Sequence, residues 1–534
     1  MMDLGAFISE LRDSLEWDEF IKEMESENFV LKPKTDIAHI INDRKEISSG
    51  YVMYVDNQIE SQTIHDASHL HLRPRIVFHP LNAEQLRVII INCQKFSIPV
   101  TFAGGKTGLS GGYANYGIIV DLMDLSVGKN AISVDLSQNT IMADQNVLIS
   151  DLIKEVEYRS KGKRIFPVQP SSAFKLPVTV GGITSTNASG VTSGKLGPTS
   201  EWILKMTVML PEGEIIDIGP EDPSFNMFVG RNGYHGVVLR VSFKLHKTPA
   251  DLTHSVLFGS DENQAFTALQ KIQDNEIYTL TAEFVLSRTG LTGKFKNLGR
   301  HMGGTPNLEN KWAVLIKGQE SNVERVEKIM QDSADARFQR VTHEKFDEYL
   351  SERAAMALMS MSNVSGDDIL RFPGFEDILI QPKYVPRVLE EIDEIVESHG
   401  FNRVFIGYGH LNFRKGRGCL MHARLPVLIS GLVADKRRYL NKISRTIAEV
   451  VIRLRNRYNV RPKAEHSLGA FGIWLDGQIR DALRHDIGNN KAFYNPHLLL
   501  YEKVRDFLKE RDEKDPEDVV LFNKLLRIYL RYGT

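Results

Sequence analysis

At 534 residues, 42% apolar and 25% charged, the chain has the composition of a globular protein too long for one ordinary core, so two or more domains are expected. A formal net charge of −2 argues against a general nucleic-acid binder. Only Cys93 and Cys419 are present, which excludes a disulfide framework, a cysteine-ligated iron–sulfur cluster and a structural cysteine zinc site. Two thiols fit a reducing compartment, and a cytoplasmic location is expected. The first residues read as an amphipathic helix rather than a signal peptide. The longest apolar run, about 425–434, falls short of the ~20 residues that span a bilayer.

In chain order, residues 1–65 read as a helical extension without a chemical motif. Residues 66–250 have a different texture. Arg75–Phe78 is predicted as a strand, and Ala83–Gln94 as a helix with Leu86, Ile89 and Ile90 at helical spacing. Pro99–Phe102 and Gly117–Asp121 are strands either side of a glycine loop; Trp202–Leu210 and Val237–Leu245 are further strands. Residues 251–460 predict strands at Val256–Phe258, Thr279–Leu286 and Trp312–Ile316, with helices at Asn263–Gln273, Val323–Gln331 and Tyr384–Glu397. Two such βαβ-like halves imply a second, antiparallel α+β domain. Residues 461–500 form a further segment with its own motif, and 501–534 a charged, helical accessory tail.

The loop Ala103–Gly112 packs five glycines into nine positions, 104–112. Glycine lets backbone approach a ligand closely, so successive N–H groups can converge on phosphate oxygens. Gly105-Lys106-Thr107 imitates the end of a Walker A loop, but Val100 stands where that motif needs glycine, and no G-x-G-x-x-G spacing occurs. A second run, Pro170–Ser172 followed by Val178–Gly190, Gly194 and Gly197, is almost uninterrupted in small and hydroxyl residues and suits a backbone lying along an extended ligand.

In combination, Pro99–Gly112, Val180–Gly190 and Gly233-Tyr-His-Gly-Val-Val238 resemble the FAD-binding domain of the vanillyl-alcohol oxidase/p-cresol methylhydroxylase (PCMH) superfamily. The branch it resembles holds the FAD-linked D-lactate dehydrogenases, glycolate oxidase flavin subunits and D-2-hydroxyglutarate dehydrogenases. The resemblance covers about residues 70–500. It implies an α+β architecture, a two-subdomain PCMH-type FAD-binding domain plus a ferredoxin-like cap domain with an antiparallel sheet. It further implies that Gly104, Gly105, Lys106, Thr107, Gly108, Leu109, Ser110 and Gly111 hold the FAD diphosphate. Pro170, Ser171, Thr184, Asn187, Ser189 and Gly190 would line the adenosine and flavin channel, with Val237 and Val238 beside the cofactor. Some relatives attach FAD through a histidine of the first loop; none lies between Pro99 and Gly117, so non-covalent FAD is expected.

Oxidising an alcohol carbon with a flavin requires a base for the hydroxyl proton, and histidine is the usual one. Ala464-Glu-His-Ser-Leu-Gly469 resembles the family's A-E-H-G-x-G segment, which makes His466 the candidate base and Glu465 its orienting partner. With sixteen histidines in the chain, most serve structure, and the resemblance is what singles out His466. Gly407–Phe413 resembles the family's G-D-G-N-L-H. Metal-binding relatives place two histidines here, at positions held by Phe405 and Asn412 in this chain, while His410 takes the asparagine place. No family metal site is therefore expected; His410 and Asn412 are candidate substrate ligands, and a remodelled site of His410 with Glu465 is the alternative. A 2-hydroxy acid needs a carboxylate anchor, for which Arg353 and Arg371 are candidates. The family's lysine near that point is absent, Glu376-Asp377 occupying the region, and His497 replaces the glycine of a terminal N-P-G.

Residues 436–463 carry nine or more basic residues against the single acid Glu449. The plain reading is a cap helix with a solvated basic side; peripheral contact with an anionic membrane is the sharper one. The expected activity is FAD-dependent oxidation of a small D-2-hydroxy acid or related alcohol, with quinone, cytochrome, electron-transfer flavoprotein or oxygen as acceptor. A homodimer is compatible with this. The alternatives are a non-redox transferase of the alkylglycerone-phosphate synthase type, or an FAD-binding protein with a diverged active site.

Overall fold

The fold is that of a computed structural model, which describes residues 10, 13–27, 29–33, 51–55, 72, 74–108, 111–287, 312–351, 369–401, 406–411, 419–428, 436–458, 473–474, 477–510, 520–521 and 524–525. Three sheets dominate it. The first contains β1 (Phe29–Pro33), β2 (Tyr51–Val55), β3 (Ile76–Phe78), β4 (Val100–Ala103) and β5 (Ile118–Asp121) in the order β1-β2-β3-β5-β4. Helix α1 (Trp17–Ser26) and helix α2 (Ala83–Lys95) pack on it, burying Phe20, Leu86, Ile89 and Ile90 against Ile118 and Val120. Asn82 caps α2 by accepting the Gln85 N–H at 3.0 Å. The region 1–65, expected to be helical, thus supplies two strands. Phe-Val-Leu and Tyr-Val-Met-Tyr-Val are β-branched and aromatic runs, and they take their stability from pairing beside β3.

The second sheet is antiparallel: β6 (Ile132–Asp135), β7 (Thr140–Asp144), β9 (Ile203–Met209), β10 (Ile215–Ile218) and β11 (Val237–Lys244), ordered β10-β9-β11-β7-β6. Helix α3 (Ile149–Ser160) covers it, and β8 (Arg164–Ile165) pairs with β12 (His246–Lys247) at its margin. Two short helices, α4 (Val180–Ser185) and α5 (Ser193–Leu196), carry the second glycine run across the gap between the two sheets.

The third sheet orders seven strands as β16-β13-β15-β14-β18-β19-β17. They are β13 (Leu252–Gly259), β14 (Thr281–Ser287), β15 (Trp312–Gln319), β16 (Arg337–Arg340), β17 (Ile369–Ile380), β18 (Ile406–His410) and β19 (Cys419–Leu428), all antiparallel to their neighbours. Side chains alternate faces along a strand. Leu257, Phe284, Val314 and Ile316 go to one face and pack on α6 (Glu262–Asp274), α7 (Glu320–Ala334) and α9 (Val385–Ser398), with helix α8 spanning 343–351 between α7 and α9 in the chain. Val256, Val285 and Leu315 go to the other, meeting Phe346, Tyr349 and Leu350 of α8 and Val191 of the second glycine run. Each large apolar side chain fully buried this way contributes roughly 1.5–3 kcal/mol.

Helix α10 (Lys436–Tyr458) lies against α9 and β17. Helices α11 (Gly477–Gly488) and α12 (Pro496–Lys509) follow. The α12 helix crosses the expected boundary at 500/501, and its Tyr501, Val504 and Leu508 are buried in the main core. Among the described residues no helix is long and apolar enough to cross a membrane.

Candidate active site

Strand β4 delivers the chain into the first glycine loop, and β5 takes it away alongside. Asn115 pins the two ends: its Nδ2 donates to Pro99 O at 3.0 Å and to Ile118 O at 2.7 Å, while its Oδ1 accepts the Gly117 N–H at 2.8 Å. The loop then presses on the segment before α4. A Cβ at Gly105 would stand 1.6 Å from Pro177 O, so only glycine permits this approach. Thr179 caps α4 by accepting the Gly182 N–H at 3.1 Å. Between loop, α4 and β11 opens a solvent-connected cleft of about 140 Å³.

The lining chemistry suits a nucleotide diphosphate. Its polar groups are backbone, hydroxyls, amides and Lys106, set among apolar side chains such as Phe102, Leu122 and Val178, and none of the described lining residues is acidic. Lys106 is the one charged lining residue among them; its Nζ turns to Asp121 at 2.5 Å, neutralising a carboxylate beneath the loop. An anion in the cleft thus meets donors and no described carboxylate.

Of the residues expected at the cofactor, Gly104, Gly105, Lys106, Thr107, Gly108, Pro170, Ser189, Val237 and Val238 line this cleft. Leu109 and Ser110 lie outside the described residues. Gly111 and Ser171 adjoin the lining residues Gly112 and Ser172. Thr184, Asn187 and Gly190 build the wall instead. Thr184 Oγ1 donates to Val180 O at 2.9 Å, and Asn187, at φ +48°, accepts the Ser200 N–H at 2.9 Å. A Cβ at Gly190 would stand 2.4 Å from Gln169 O. Sequence reasoning missed Gln145, Thr179 and Asn232, which also line the cleft. A threonine directly before a helix that begins Val-Gly-Gly was a readable cap signal for Thr179; nothing local marks Gln145 at the end of β7.

The segment before α12 closes over the same loop. Val100 N donates to Tyr494 O at 3.2 Å, and Phe493 N donates to Tyr234 O at 2.8 Å. Asn495 caps α12 by accepting the N–H groups of His497 and Leu498 at 2.9 and 3.0 Å, so the chain leaves this turn as a helix. His497 is fully buried with Nε2 3.5 Å from Gly112 O, and burial pushes its pKa down to about 4. His235 Nε2, beside Val237, meets Asp486 of α11 at 2.9 Å.

The third sheet supplies a polar pair. Glu283 on β14 stands directly opposite His410 on β18, and its carboxylate hydrogen-bonds His410 Nδ1. Both are buried, at 0% and 5% exposure. They lie on the face that carries Val285 and Leu315, the face turned toward Val191. Beyond His410 the chain touches the FAD-side glycine run, since a Cβ at Gly194 would stand 2.5 Å from Leu411 O. Arg371 falls on β17 opposite Pro426. Arg353, Phe405, Asn412, Glu465 and His466 lie outside the described residues. Among the described residues no three His, Cys, Asp or Glu side chains converge as a metal site. On α10, Arg457 donates to Glu391 at 2.9 Å, Lys442 to Gly400 O at 2.7 Å, and Arg453 pairs with Glu449. Part of the basic charge of this helix is therefore used within the fold.

The family whose description is FAD binding domain matches residues 74–219, which hold both glycine runs. The chain carries a PCMH-type FAD-binding domain. FAD is its cofactor, and the cleft, whose described lining offers donors and no carboxylate, fits the diphosphate. A D-lactate dehydrogenase of Anaerostipes hadrus is 28% identical over 222 residues, 40% of this chain and 45% of that protein, so the match spans under half of that relative. A D-2-hydroxyglutarate dehydrogenase of Stutzerimonas stutzeri is 25% identical over 453 residues, covering 82% of this chain and 91% of the relative. In fold, p-cresol methylhydroxylase superposes with a TM-score of 0.56 at 13% identity, covering 82% of this chain and 93% of that one. An alkyldihydroxyacetonephosphate synthase superposes at 0.57, again with 13% identity, covering 88% and 87%. The FAD-binding domain and the seven-stranded sheet are both within the span that these folds share.

Proposed function

We propose that the protein is an FAD-dependent dehydrogenase that oxidises a small D-2-hydroxy acid. The observation that carries this is the buried Glu283–His410 pair on the sheet face next to the FAD-binding domain. Its support from relatives is that a D-2-hydroxyglutarate dehydrogenase aligns along 82% of the chain, through both domains. Bound FAD supplies the hydride acceptor, flavin N5. The chain supplies the rest. Glu283 accepts the Nδ1–H of His410 and so fixes the ring's tautomer and orientation, which turns its other edge to the substrate oxygen. His466 takes the hydroxyl proton, Glu465 orients it, and Asn412 contributes a further hydrogen bond to the substrate. Arg353 and Arg371 anchor the carboxylate. The FAD is held without a covalent bond.

Anaerobic addition of D-lactate, glycolate or D-2-hydroxyglutarate to the yellow protein near pH 7 should bleach the flavin band. A broad panel of hydroxy acids and alcohols that leaves the band unchanged, with FAD bound, would sink the proposal. His466→Ala should abolish bleaching and retain FAD; a variant that still bleaches removes His466 from its role. The likeness to the transferase is one of fold alone, and no feature of the described site favours that chemistry over oxidation.

A further inference from the structure

A second cleft, of about 220 Å³, opens where the seven-stranded sheet meets the FAD-binding domain. A wall of two chain segments separates it from the FAD cleft: Val191 N donates to Gln169 O at 2.8 Å, and Thr192 Oγ1 donates to Pro167 O at 2.6 Å. Pro170 and Ser189 face the FAD cleft, whereas Gln169 and Val191 face this one. Its sides mix apolar side chains, Phe166 and Phe174 from the FAD-binding domain opposite Leu252, Leu280 and Leu350, with polar and charged ones, among them Glu157, Arg164, Thr281 and Asp347.

Lys317 stands among them. It sits on β15 between His254 of β13 and Thr281 of β14, on the sheet face turned to the FAD-binding domain. It is half-buried, and among the described residues it makes no hydrogen bond or ion pair. Burial pushes its pKa below the ordinary lysine value, while Asp347 and Glu157 act on it only as charges at a distance. The other bases of the cleft are engaged: Arg164 Nε donates to Asn139 Oδ1 at 2.5 Å, and His343 pairs with Asp347 at 3.6 Å. An ammonium drawn from water against an apolar wall is costly unless a counter-charge meets it.

The geometry points to a second ligand site here, one that takes a monocarboxylate with a hydrocarbon body. The carboxylate meets Lys317 Nζ beside Thr281, and the body lies along Phe166, Val191 and Leu280. Glu157 and Asp347 at the rim disfavour a second negative charge, and the apolar walls disfavour a fully polar anion. This site is independent of the hydroxy-acid reading, because it lies behind the wall that bounds the FAD cleft.

Octanoate titrated into the FAD-loaded full chain by calorimetry is the test. Saturable binding at one site is expected, with 1-octanol and inorganic phosphate unable to displace it. Lys317→Met should weaken octanoate by about tenfold or more, as loss of a partly desolvated charge contact does, and Lys317→Arg should restore most of it. Phe174→Glu, at the exposed mouth, should also weaken it without altering the flavin spectrum. No binding, equal affinity in Lys317→Met, or displacement by phosphate would each overturn the proposal. The first leaves a hydrated cavity, the second unspecific apolar binding and the third a plain anion site.

Discussion

The cofactor cleft and the sheet face opposite it recognise their ligands by different means. The cleft is made from backbone: glycines at 104, 105 and 190 let chain segments touch, and its one charged described residue, Lys106, is occupied with Asp121. The sheet face instead carries a buried polar pair of side chains, Glu283 held against His410 across two strands. The first kind of site fails when an atom is added; the second fails when a charge is removed.

Gly105→Val should have the largest effect. Its side chain would overlap the Pro177 carbonyl, and the ~1–3 kcal/mol or more of overpacking falls on the loop that holds the diphosphate. Purified protein should lose about nine-tenths of its flavin absorbance; a variant that stays yellow would show that the loop tolerates side chains. Glu283→Ala comes next. Removing one partner of a buried pair costs about 3–5 kcal/mol, and denaturant titration of the tryptophan signal should show an earlier midpoint, with flavin content nearly unchanged. Should flavin be lost in parallel, the sheet face and the cofactor cleft form one cooperative unit.

His497 tests the boundary between them through pH. Its folded pKa of about 4 lies below the unfolded value of 6.5, so the unfolded chain binds the proton more readily. The neutral ring's contribution is fully present above pH 6.5 and is lost as pH falls toward 4, by roughly 3 kcal/mol in all. FAD release on acidification should track this loss, and His497→Asn should flatten it; an unchanged profile would place the sensitivity elsewhere. The smallest effect belongs to Arg457→Ala. Arg457 is exposed, and Tyr458 Oη still donates to Glu391 at 2.7 Å, so little or no shift of the unfolding midpoint is expected.

The same contrast explains what was legible in the sequence. Gly104–Gly112 could be read because a close approach of backbone leaves a local signature, glycine, wherever the partner segment lies. Val237 and Val238 followed from position on a strand directly after a glycine turn. Glu283 could not be read: its partner is 127 residues away, and nothing in Thr-Ala-Glu-Phe-Val tells a buried acid from a strand-edge one. Only the register of β14 against β18 brings the two together. Strands β1 and β2 were missed for a related reason, since short apolar runs acquire their state from the neighbour they pair with. The turn at Asn495 was legible as a departure from the N-P-G pattern, but its result, a capped helix running through Tyr501, was not.

The contacts of Tyr494 with β4, of Phe493 with Tyr234 and of His497 with Gly112 of the first glycine loop also set an order of events during synthesis. The loop leaves the ribosome nearly four hundred residues before the segment that closes on it. A domain that would otherwise fold as its own unit while the chain is still growing must here wait for distant sequence to complete its floor. Cofactor capture is thereby coupled to synthesis of residues 493–497, so a chain broken off before this segment would lack what secures the loop and would hold its flavin poorly.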